Sequence, residues 1–533
     1  MPKRIAVIGA GASGLIAMKC CLDEGLEPVC FDKGTDIGGL WNYHEDVKDG
    51  HASVFRSTII NTSKELMAFS DFPAPKEYPN YMHNTYVMQY FRLYAEKFGL
   101  MKHINFKTHI DSVRQAADYD TSGKWDVSYT DKEKGTSNTE TFDGVLVCTG
   151  HHVDPNVPTF PGQDDFQGRI IHTHDYKHPR DYEDKRILVI GVGNSGGDAA
   201  VELSRIGSQV FLSTRRGCWI THRVGPEGLP SNIFDFTRAR QSIPLSLKAY
   251  FLEKKLKANL DHANFGLQPE HSPIQEHPTI NDFLPNEILS GCVKVKANVK
   301  KFLKTSVVFE DDTVEEDIDE VIMATGYTFG FPFLDESVIK VYKNENPLYK
   351  YQYPPHLKHG TLSIIGFAQP IGPINAISEL QCRWATLVLK GLLKLPPKEK
   401  MMADIQKKKD VMAARYVKSQ RHTIQVDLIP FMDEIAEHIG VKPNFLLLFL
   451  TNPILAYRCF FGQFTPYQYR LMGPGKWDGA AKAIHTMMDR VRYPTQTRPV
   501  KQQRETSYVG SLFTFLVFGV VILAAIMKYT QTE

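Results

Sequence analysis

Short apolar runs alternate with stretches of helical character through the first 330 residues of the chain. Two of these runs, residues 4–8 and 186–190, each lead into a glycine-rich turn and then into a segment of small residues. Strand and helix that alternate in this way are typical of α/β proteins with parallel sheets. We therefore predict an α/β fold with more than one sheet.

Each of the two runs is followed by the glycine fingerprint of a dinucleotide-binding domain. Its glycines allow the backbone to approach a pyrophosphate, and the helix that follows supplies oriented N–H groups. One copy is weak evidence because the pattern is short, but two copies in the same context are much stronger. The pattern predicts two Rossmann-like domains, with the fingerprints Gly9-Ala10-Gly11-Ala12-Ser13-Gly14 and Gly191-Val192-Gly193-Asn194-Ser195-Gly196, the second extended by Gly197.

The two fingerprints differ in the residues at the end of the next strand. Asp32 ends the strand after the first fingerprint and can accept hydrogen bonds from a ribose with a free 2′-hydroxyl. Thr214, Arg215 and Arg216 end the strand after the second, and guanidinium groups suit a 2′-phosphate. We therefore predict two different dinucleotides, of which the second is NADP(H).

Two further strands end in Thr-Gly, at residues 143–150 and 318–327, and indicate where the chain crosses between the domains. The first predicted dinucleotide domain covers residues 1–154 and resumes over 331–506. The NADP domain, 155–330, is inserted in it and carries its own insertion at about 217–295. Within that insertion, residues 245–265 have two interpretations. They form an amphipathic helix that lies at a membrane surface or covers the substrate route, or they form a solvated helix that packs on the domain. The apolar run 445–450 has the pattern of core more than of interface.

The C-terminal region contains an uncharged apolar run at residues 509–527. As a helix it would extend roughly 28 Å, close to the thickness of a bilayer core. Arg498, Lys501 and Arg504 precede the run, whereas Lys528 alone follows closely. We predict a transmembrane tail anchor whose basic side, with the catalytic domains, faces the cytosol. A buried C-terminal helix is the alternative.

Composition and charge limit the class of partner and the cellular compartment that we expect for this protein. The chain has 533 residues, 42% of them hydrophobic, and a net charge of +2, which gives no reason to expect nucleic acid as a partner. Its eight cysteines are scattered without a C-x-x-C pair, which suits reduced thiols in a protein that faces the cytosol. The first strand begins near residue 4, which leaves no room for a cleavable signal peptide.

Residues 166–176 fit the motif F-x-G-x-x-x-H-x-x-x-Y just ahead of the second fingerprint. With residues 36–41, 59–65 and 324–327 and the apolar tail, the whole chain resembles the vertebrate microsomal flavin-containing monooxygenases. Residues 150–152, 277–279 and 419–425 are most similar to the isoform-five branch, which is associated with Baeyer–Villiger oxidation. Asp32 stands where the family usually has Glu, and Lys33 where it usually has Arg.

The resemblance implies an enzyme that uses FAD, NADPH and O₂. It implies insertion of one oxygen atom into small lipophilic substrates through a C4a-(hydro)peroxyflavin. The reaction is either Baeyer–Villiger oxidation of ketones to esters or oxygenation of nitrogen or sulfur, with uncoupled NADPH oxidation to H₂O₂ as the alternative. It also implies the endoplasmic reticulum membrane as location, and leaves homo-oligomerisation open.

The resemblance also implies site residues. Asn61 is the predicted catalytic residue, because its amide can hold a reacting group without delivering a proton; taken alone, Asn-Thr-Ser would be a helix cap. The flavin is expected to contact two segments of the chain: Gly38, Gly39, Leu40 and Trp41 in one, and Ile60 and Thr62 on either side of Asn61 in the other.

Five other interpretations compete with this one. His172 and Tyr176 suit a structural link between the domains better than a general base, and His172, His174 and Asp175 lack a further ligand for a metal site. Ser195 lies in a G-x-S-x-G pattern, so an esterase is a remote alternative. A disulfide reductase would need the adjacent Cys20 and Cys21 as a redox pair, and a non-catalytic membrane flavoprotein is the last alternative.

Overall fold

A computed structural model describes residues 1–47, 50–342, 344–345, 347–417 and 423–499. The predicted membrane span 509–527 lies outside the described residues, as do residues 419–422 of one stretch that carries the family resemblance. The strands are β1 Arg4–Ile8, β2 Glu27–Phe31, β3 Ile104–Asn105, β4 Thr108–Gln115, β5 Trp125–Asp131, β6 Thr136–Phe142, β7 Gly144–Val147, β8 Asp154–Pro155, β9 Arg169–His172, β10 Arg186–Ile190, β11 Gln209–Ser213, β12 Ile220–Thr221, β13 Thr279–Ile280, β14 Val293–Lys296, β15 Val299–Phe302, β16 Val307–Phe309, β17 Val314–Glu315, β18 Glu320–Met323, β19 Tyr327–Thr328, β20 Leu362–Ile364, β21 Gln369–Pro370 and β22 Gln425–Val426.

Helices cover the sheets and form most of the C-terminal region. They are α1 Ala12–Asp23, α2 Lys64–Met67, α3 Asn84–Lys97, α4 Tyr119–Ser122, α5 Asn194–Leu203, α6 Asn232–Asp235, α7 Arg238–Gln241, α8 Leu245–Asn259, α9 Leu284–Leu289, α10 Ile374–Leu389, α11 Lys398–Arg415, α12 Leu428–His438, α13 Phe445–Thr451, α14 Pro453–Phe461, α15 Ala480–His485 and α16 Met487–Arg492.

Two parallel sheets organise the molecule, as the apolar pattern predicts. The first has the order β20-β7-β1-β2-β3 and the second the order β14-β11-β10-β18-β9. Their central strands β1 and β10 are buried along almost their whole length, which is why both are continuous apolar runs. We call the first sheet with α1 and α10 the first unit, and the second sheet with α5 the second unit.

The chain leaves the first unit after β7 and returns to it after the second unit. On the way out it forms β8, and on the way back it forms β19, which pairs with β8 in antiparallel orientation. Beyond β19, β20 adds to β7 at the edge of the first sheet. The first sheet therefore takes strands from both sides of the second unit, which is the topology of an inserted domain.

Two helical segments outside the sheets expose apolar side chains. Helix α8 buries Leu256 alone and exposes Tyr250 and Phe251. The run 445–450 forms most of α13, where Leu448 is buried but Leu446, Leu447 and Leu450 are exposed, so the expectation of a core segment is wrong for half of it. Among the described residues, the helices are too short or too polar to span a bilayer.

Candidate functional site

The first fingerprint forms a turn that only glycine fits at two positions. Gly9 has a φ of 101°, and a Cβ atom there would lie 2.7 Å from the carbonyl oxygen of Cys148. A Cβ atom on Gly14 would lie 1.8 Å from the carbonyl oxygen of Gly9, because α1 passes directly against the turn. The N-terminus of α1, with Ala12 and Ser13 in its first turn, is thereby brought to the carboxyl end of β1.

The other predicted flavin residues of this unit gather around the turn. Asp32 accepts hydrogen bonds from the N–H groups of Ala10 at 2.6 Å and Gly34 at 2.7 Å, so its carboxylate lies beside the fingerprint. Gly38 donates its N–H to the carbonyl of Ala10 at 3.0 Å. These contacts place a ribose acceptor and the pyrophosphate turn side by side, as FAD requires.

Gly39 and Gly11 face each other without intervening side chains. A Cβ atom built on Gly11 would lie 3.7 Å from Cα of Gly39, and Gly39 is exposed. Leu40 and Trp41 follow in a single 3-10 turn and are half-buried. The two backbones therefore form the cradle that a flavin dinucleotide would occupy.

The second fingerprint repeats this geometry. Gly191 has a φ of 106°, and a Cβ atom on Gly196 would lie 1.9 Å from the carbonyl oxygen of Gly191. Gly193 precedes α5, and the side chain of Asn194 accepts a hydrogen bond from the Ile280 N–H at 2.8 Å. Around this turn Val192, Gly196 and Gly197 are buried, whereas Ser195 is exposed. A Cβ atom on Gly197 would lie 3.3 Å from the side chain of Thr279.

The predicted 2′-phosphate residues lie at the carboxyl end of β11. Thr214 accepts a hydrogen bond from the Gly217 N–H at 3.0 Å, which turns the chain sharply. Arg215 is exposed and Arg216 is half-buried. Both residues therefore directly follow the strand end that, in a Rossmann-like fold, lies beside the adenosine end of a dinucleotide.

Asn61 is held by an arginine from the other unit. Its Oδ1 accepts a hydrogen bond from Nη2 of Arg223 at 2.7 Å. Since a guanidinium can only donate, Oδ1 must face Arg223, and the amide Nδ2 faces the opposite way as a donor. Arg223 is fixed by Asp282, which accepts from its Nη1 at 3.2 Å and from its N–H at 2.9 Å.

Helix α3 connects the Asn61 segment with the flavin turn. Ile60, which is buried, donates its N–H to the Met82 carbonyl at 2.9 Å, just before α3 begins. Met88, one turn into α3, fills the space next to Gly38, where a Cβ atom would lie 2.2 Å from its sulfur. A single helix, α3, therefore sets the position of Asn61 and the half-buried Thr62 relative to the first fingerprint.

The motif at 166–176 links the two units. Nε2 of His174 contacts the His51 carbonyl oxygen at 2.7 Å, and Tyr176 donates to Glu202 of α5 at 2.9 Å. Burial lowers the pKa of His172 to about 4, so it is neutral near pH 7 and poorly suited as a general base. In the described part of the chain, acidic, cysteine and histidine side chains do not assemble a metal site.

Arg223 and Asp282 are site residues that the sequence did not reveal. Both lie in the segment 217–295, where no strand or helix pattern and no motif singles them out. They reach Asn61, 162 positions away from Arg223, only because the second unit folds against the first. Sequence offers no signal for this contact.

Comparisons with known proteins identify the family of the chain. The family model described as flavin-binding monooxygenase-like matches residues 2–530. The chain belongs to this family. Flavin-containing monooxygenase 5 of Rattus norvegicus is 54% identical over 533 residues, with 99% of each chain covered.

Two solved oxygenase structures share the fold. S-allyl-L-cysteine S-oxygenase from Allium sativum has a TM-score of 0.64 at 24% identity, with 92% of this chain and 99% of that one covered. Cyclohexanone monooxygenase from Rhodococcus sp. Phi1 bound to NADP+ has a TM-score of 0.57 at 16% identity, with 83% and 98% covered.

Membership of the family confirms a flavoprotein monooxygenase that uses FAD and NADPH. The esterase interpretation of Ser195 is set aside, because the chain belongs to a family of monooxygenases. The disulfide-reductase alternative is also set aside, since burial raises the pKa of Cys20 to about 12 and raises that of Cys21 as well.

Proposed function

We propose that the enzyme oxidises small lipophilic ketones to esters, with Asn61 as its catalytic residue. The observation that carries this proposal is the guanidinium of Arg223 at 2.7 Å from Asn61. Attack on a carbonyl needs an anionic oxygen donor, whereas transfer to an amine or sulfide needs a protonated one. A fixed cation beside the reacting position favours the anion.

FAD supplies the oxygen-activating chemistry when bound, and the protein supplies position and protection from water. Asp32 would hold the ribose of FAD, and Arg215 with Arg216 the 2′-phosphate of NADPH. The amide of Asn61 can donate a hydrogen bond from Nδ2 without titrating, so it can hold an oxygen atom without protonating it. This arrangement suits a reaction in which early protonation would release H₂O₂.

Product analysis tests the reaction type. The purified full-length enzyme is supplied with NADPH and either a ketone or a sulfide, and ester, sulfoxide and H₂O₂ are quantified against NADPH consumed. Ester as the main product supports the proposal. Sulfoxide without ester would assign the enzyme to heteroatom oxygenation, and H₂O₂ equal to the NADPH consumed would make it an uncoupled NADPH oxidase.

Arg223→Lys is the informative variant in this experiment. Lysine keeps the charge but loses the fork that bridges Asn61 and Asp282. We expect a lower yield of ester and a larger share of H₂O₂, by about tenfold in their ratio. An unchanged ratio would contradict the role given to the guanidinium.

We also propose that the enzyme is attached to the cytosolic face of the endoplasmic reticulum membrane. Leu446, Leu450 and Ile454 of α13 and α14 are each more than half exposed, at 51%, 72% and 58%. An apolar patch of this kind is unusual on a freely dissolved protein, and the apolar segment 509–527 follows in the same C-terminal region. Together they suit a membrane surface plus a tail anchor.

Flotation with phospholipid vesicles tests the attachment. The full-length chain should float, and a chain that ends at residue 505 should float weakly. Leu446→Gln with Leu450→Gln should abolish the remaining flotation of the shortened chain. Equal flotation of all forms would refute this part of the proposal. Sedimentation of the detergent-solubilised enzyme would decide whether it forms homo-oligomers.

A further inference from the structure

A buried ion pair fastens the C-terminal region to the segment that carries Asn61. Glu65 of α2 is fully buried, and its two carboxylate oxygens accept hydrogen bonds from Nε of Arg490 at 2.8 Å and Nη2 at 2.6 Å. Tyr467 adds a third donor, 3.1 Å from the same carboxylate. Such a two-pronged contact fixes both position and direction of the carboxylate.

Two further contacts reinforce this attachment. Gln463 donates to Oγ of Ser63 at 3.1 Å, and Asn80 donates to the Val491 carbonyl oxygen at 2.8 Å. Asn80 in turn accepts the N–H of Lys64 at 2.8 Å. Every residue from 63 to 65 therefore has a contact that leads to residues 463–491, directly or through Asn80.

We infer that Arg490 is a positioning residue of the active site: through Glu65 it holds the Asn61 segment against Arg223 of the second unit. Asn61 lies four positions before Glu65, too few for the chain to absorb a displacement of α2. The hydrogen bond of 2.7 Å between Arg223 and Asn61 then depends on an anchor on each side. This inference rests on the function proposed for Asn61.

The same contacts explain why a charged pair occupies this place. A bidentate arginine fixes a carboxylate more narrowly than apolar packing would, because two hydrogen bonds must be kept at once. A shift of about 1 Å at a reacting group can cost about a hundredfold in rate. The pair therefore supplies alignment rather than chemistry, and it touches neither substrate nor cofactor.

The test removes both charges together, so that no lone charge stays buried. Arg490→Met with Glu65→Gln should lower the rate of product formation at least about tenfold and raise H₂O₂ release, with the KM for NADPH within about twofold of the parent. Arg490→Lys should give a rate of product formation and an H₂O₂ release between those of the parent and those of the double variant. In an Asn61→Ala background, the double substitution should add no further loss, because it acts through Asn61.

A buried carboxylate in the second sheet serves as the control. Glu320, at the start of β18, accepts a hydrogen bond from Nζ of Lys185 at 2.6 Å and lies 3.2 Å from Nε of Arg169. Lys185→Met with Glu320→Gln should leave the share of H₂O₂ unchanged, and thermal unfolding and flavin content of both double variants show whether they fold.

Three results would overturn the inference: an equal shift toward H₂O₂ in the control, a full additional loss in the Asn61→Ala background, or a folded Arg490 double variant with normal product formation. An Asn61→Ala enzyme with unaltered product formation would instead overturn the function proposed for Asn61. The two failures are therefore distinguishable.

Discussion

The two fingerprints have nearly the same backbone but lie in different surroundings. Their first glycines have φ values of 101° and 106°, and a Cβ atom on the last glycine of each would overlap a carbonyl oxygen at 1.8 and 1.9 Å. In the first unit, α1 is buried from Gly14 to Cys21, and Ser13 bonds to Ser378 of α10 at 3.0 Å. In the second, Ser195 is exposed and α5 carries a half-buried acid, Asp198.

The comparison separates what the turn does from what its surroundings do. The turn fixes where a pyrophosphate meets a helix N-terminus, and it does so identically in both units. The surroundings decide how firmly the dinucleotide is enclosed. The helix of the first site is tied to α10 through Ser13, whereas the helix of the second exposes Ser195 in its first turn, so we expect the first dinucleotide to be held more firmly than the second.

Alanine at the last glycine of each fingerprint should have the largest effects. We expect Gly14→Ala to destabilise the first unit by about 3 kcal/mol or more, because the new Cβ overlaps the Gly9 carbonyl, and to abolish flavin binding. Gly196→Ala should keep the flavin and lose reduction by NADPH. Visible absorbance of flavin per chain and anaerobic reduction measure both.

Gly330→Ala is the control, since no atom lies within 4 Å of its Cβ position. If Gly196→Ala loses as much flavin as Gly14→Ala does, a substitution in the second unit also disrupts the dinucleotide site of the first.

The acid of α5 offers a second contrast, because Ile16 occupies the equivalent position of α1. Burial raises the pKa of Asp198 to about 6, so the folded state holds its proton more firmly than the unfolded state does. This group therefore favours folding below about pH 4, and its contribution is lost as pH rises through about 6. Asp198→Asn should gain stability over that window, up to about 3 kcal/mol above pH 7.

Urea unfolding of the variant and the parent at several pH values measures this gain. Asp312→Asn, at a surface carboxylate that is 78% exposed, serves as the control. If the free energies of unfolding of Asp198→Asn and the parent differ by the same amount from pH 4 to pH 8, the raised pKa of Asp198 is contradicted.

Asp32→Asn should weaken FAD binding about 10- to 100-fold. The carboxylate accepts from Ala10 and Gly34, and a hydrogen bond to a charged group contributes about 1.5–3 kcal/mol. Titration of the apoenzyme with FAD measures the loss. Asp36→Asn is the control, because that carboxylate pairs with the exposed Arg92; an equal loss there would mean that any acid of this loop matters.

Arg215→Ala should have the smallest effect and the most selective one. We expect the KM for NADPH to rise about tenfold while that for NADH stays unchanged, since only NADPH carries the 2′-phosphate. Arg205→Ala, at another exposed arginine of the second unit, should leave both constants unchanged. Equal losses for the two nucleotides after Arg215→Ala would place the 2′-phosphate elsewhere.

The elements near the fingerprints were the most predictable part of the molecule. The strands at 4–8 and 186–190 and both helices after the glycines are where the apolar pattern places them. The run 445–450 was less predictable, because six apolar residues in a row show the same pattern whether the helix is covered or exposed. The exposed face of α13 depends on what packs against it.

Local chemistry was enough to locate both dinucleotide turns, because the glycines, the helix start and the strand-end residue all lie within about 25 residues of one another. The two arginine contacts near Asn61 were decided by tertiary structure alone. Arg223 and Arg490 lie 162 and 429 positions away from it, and no periodicity couples such distant residues. Arg223 contacts Asn61 and Arg490 contacts Glu65 because the second unit and the C-terminal helices both pack against one short segment, residues 61–65, and packing depends on the whole chain.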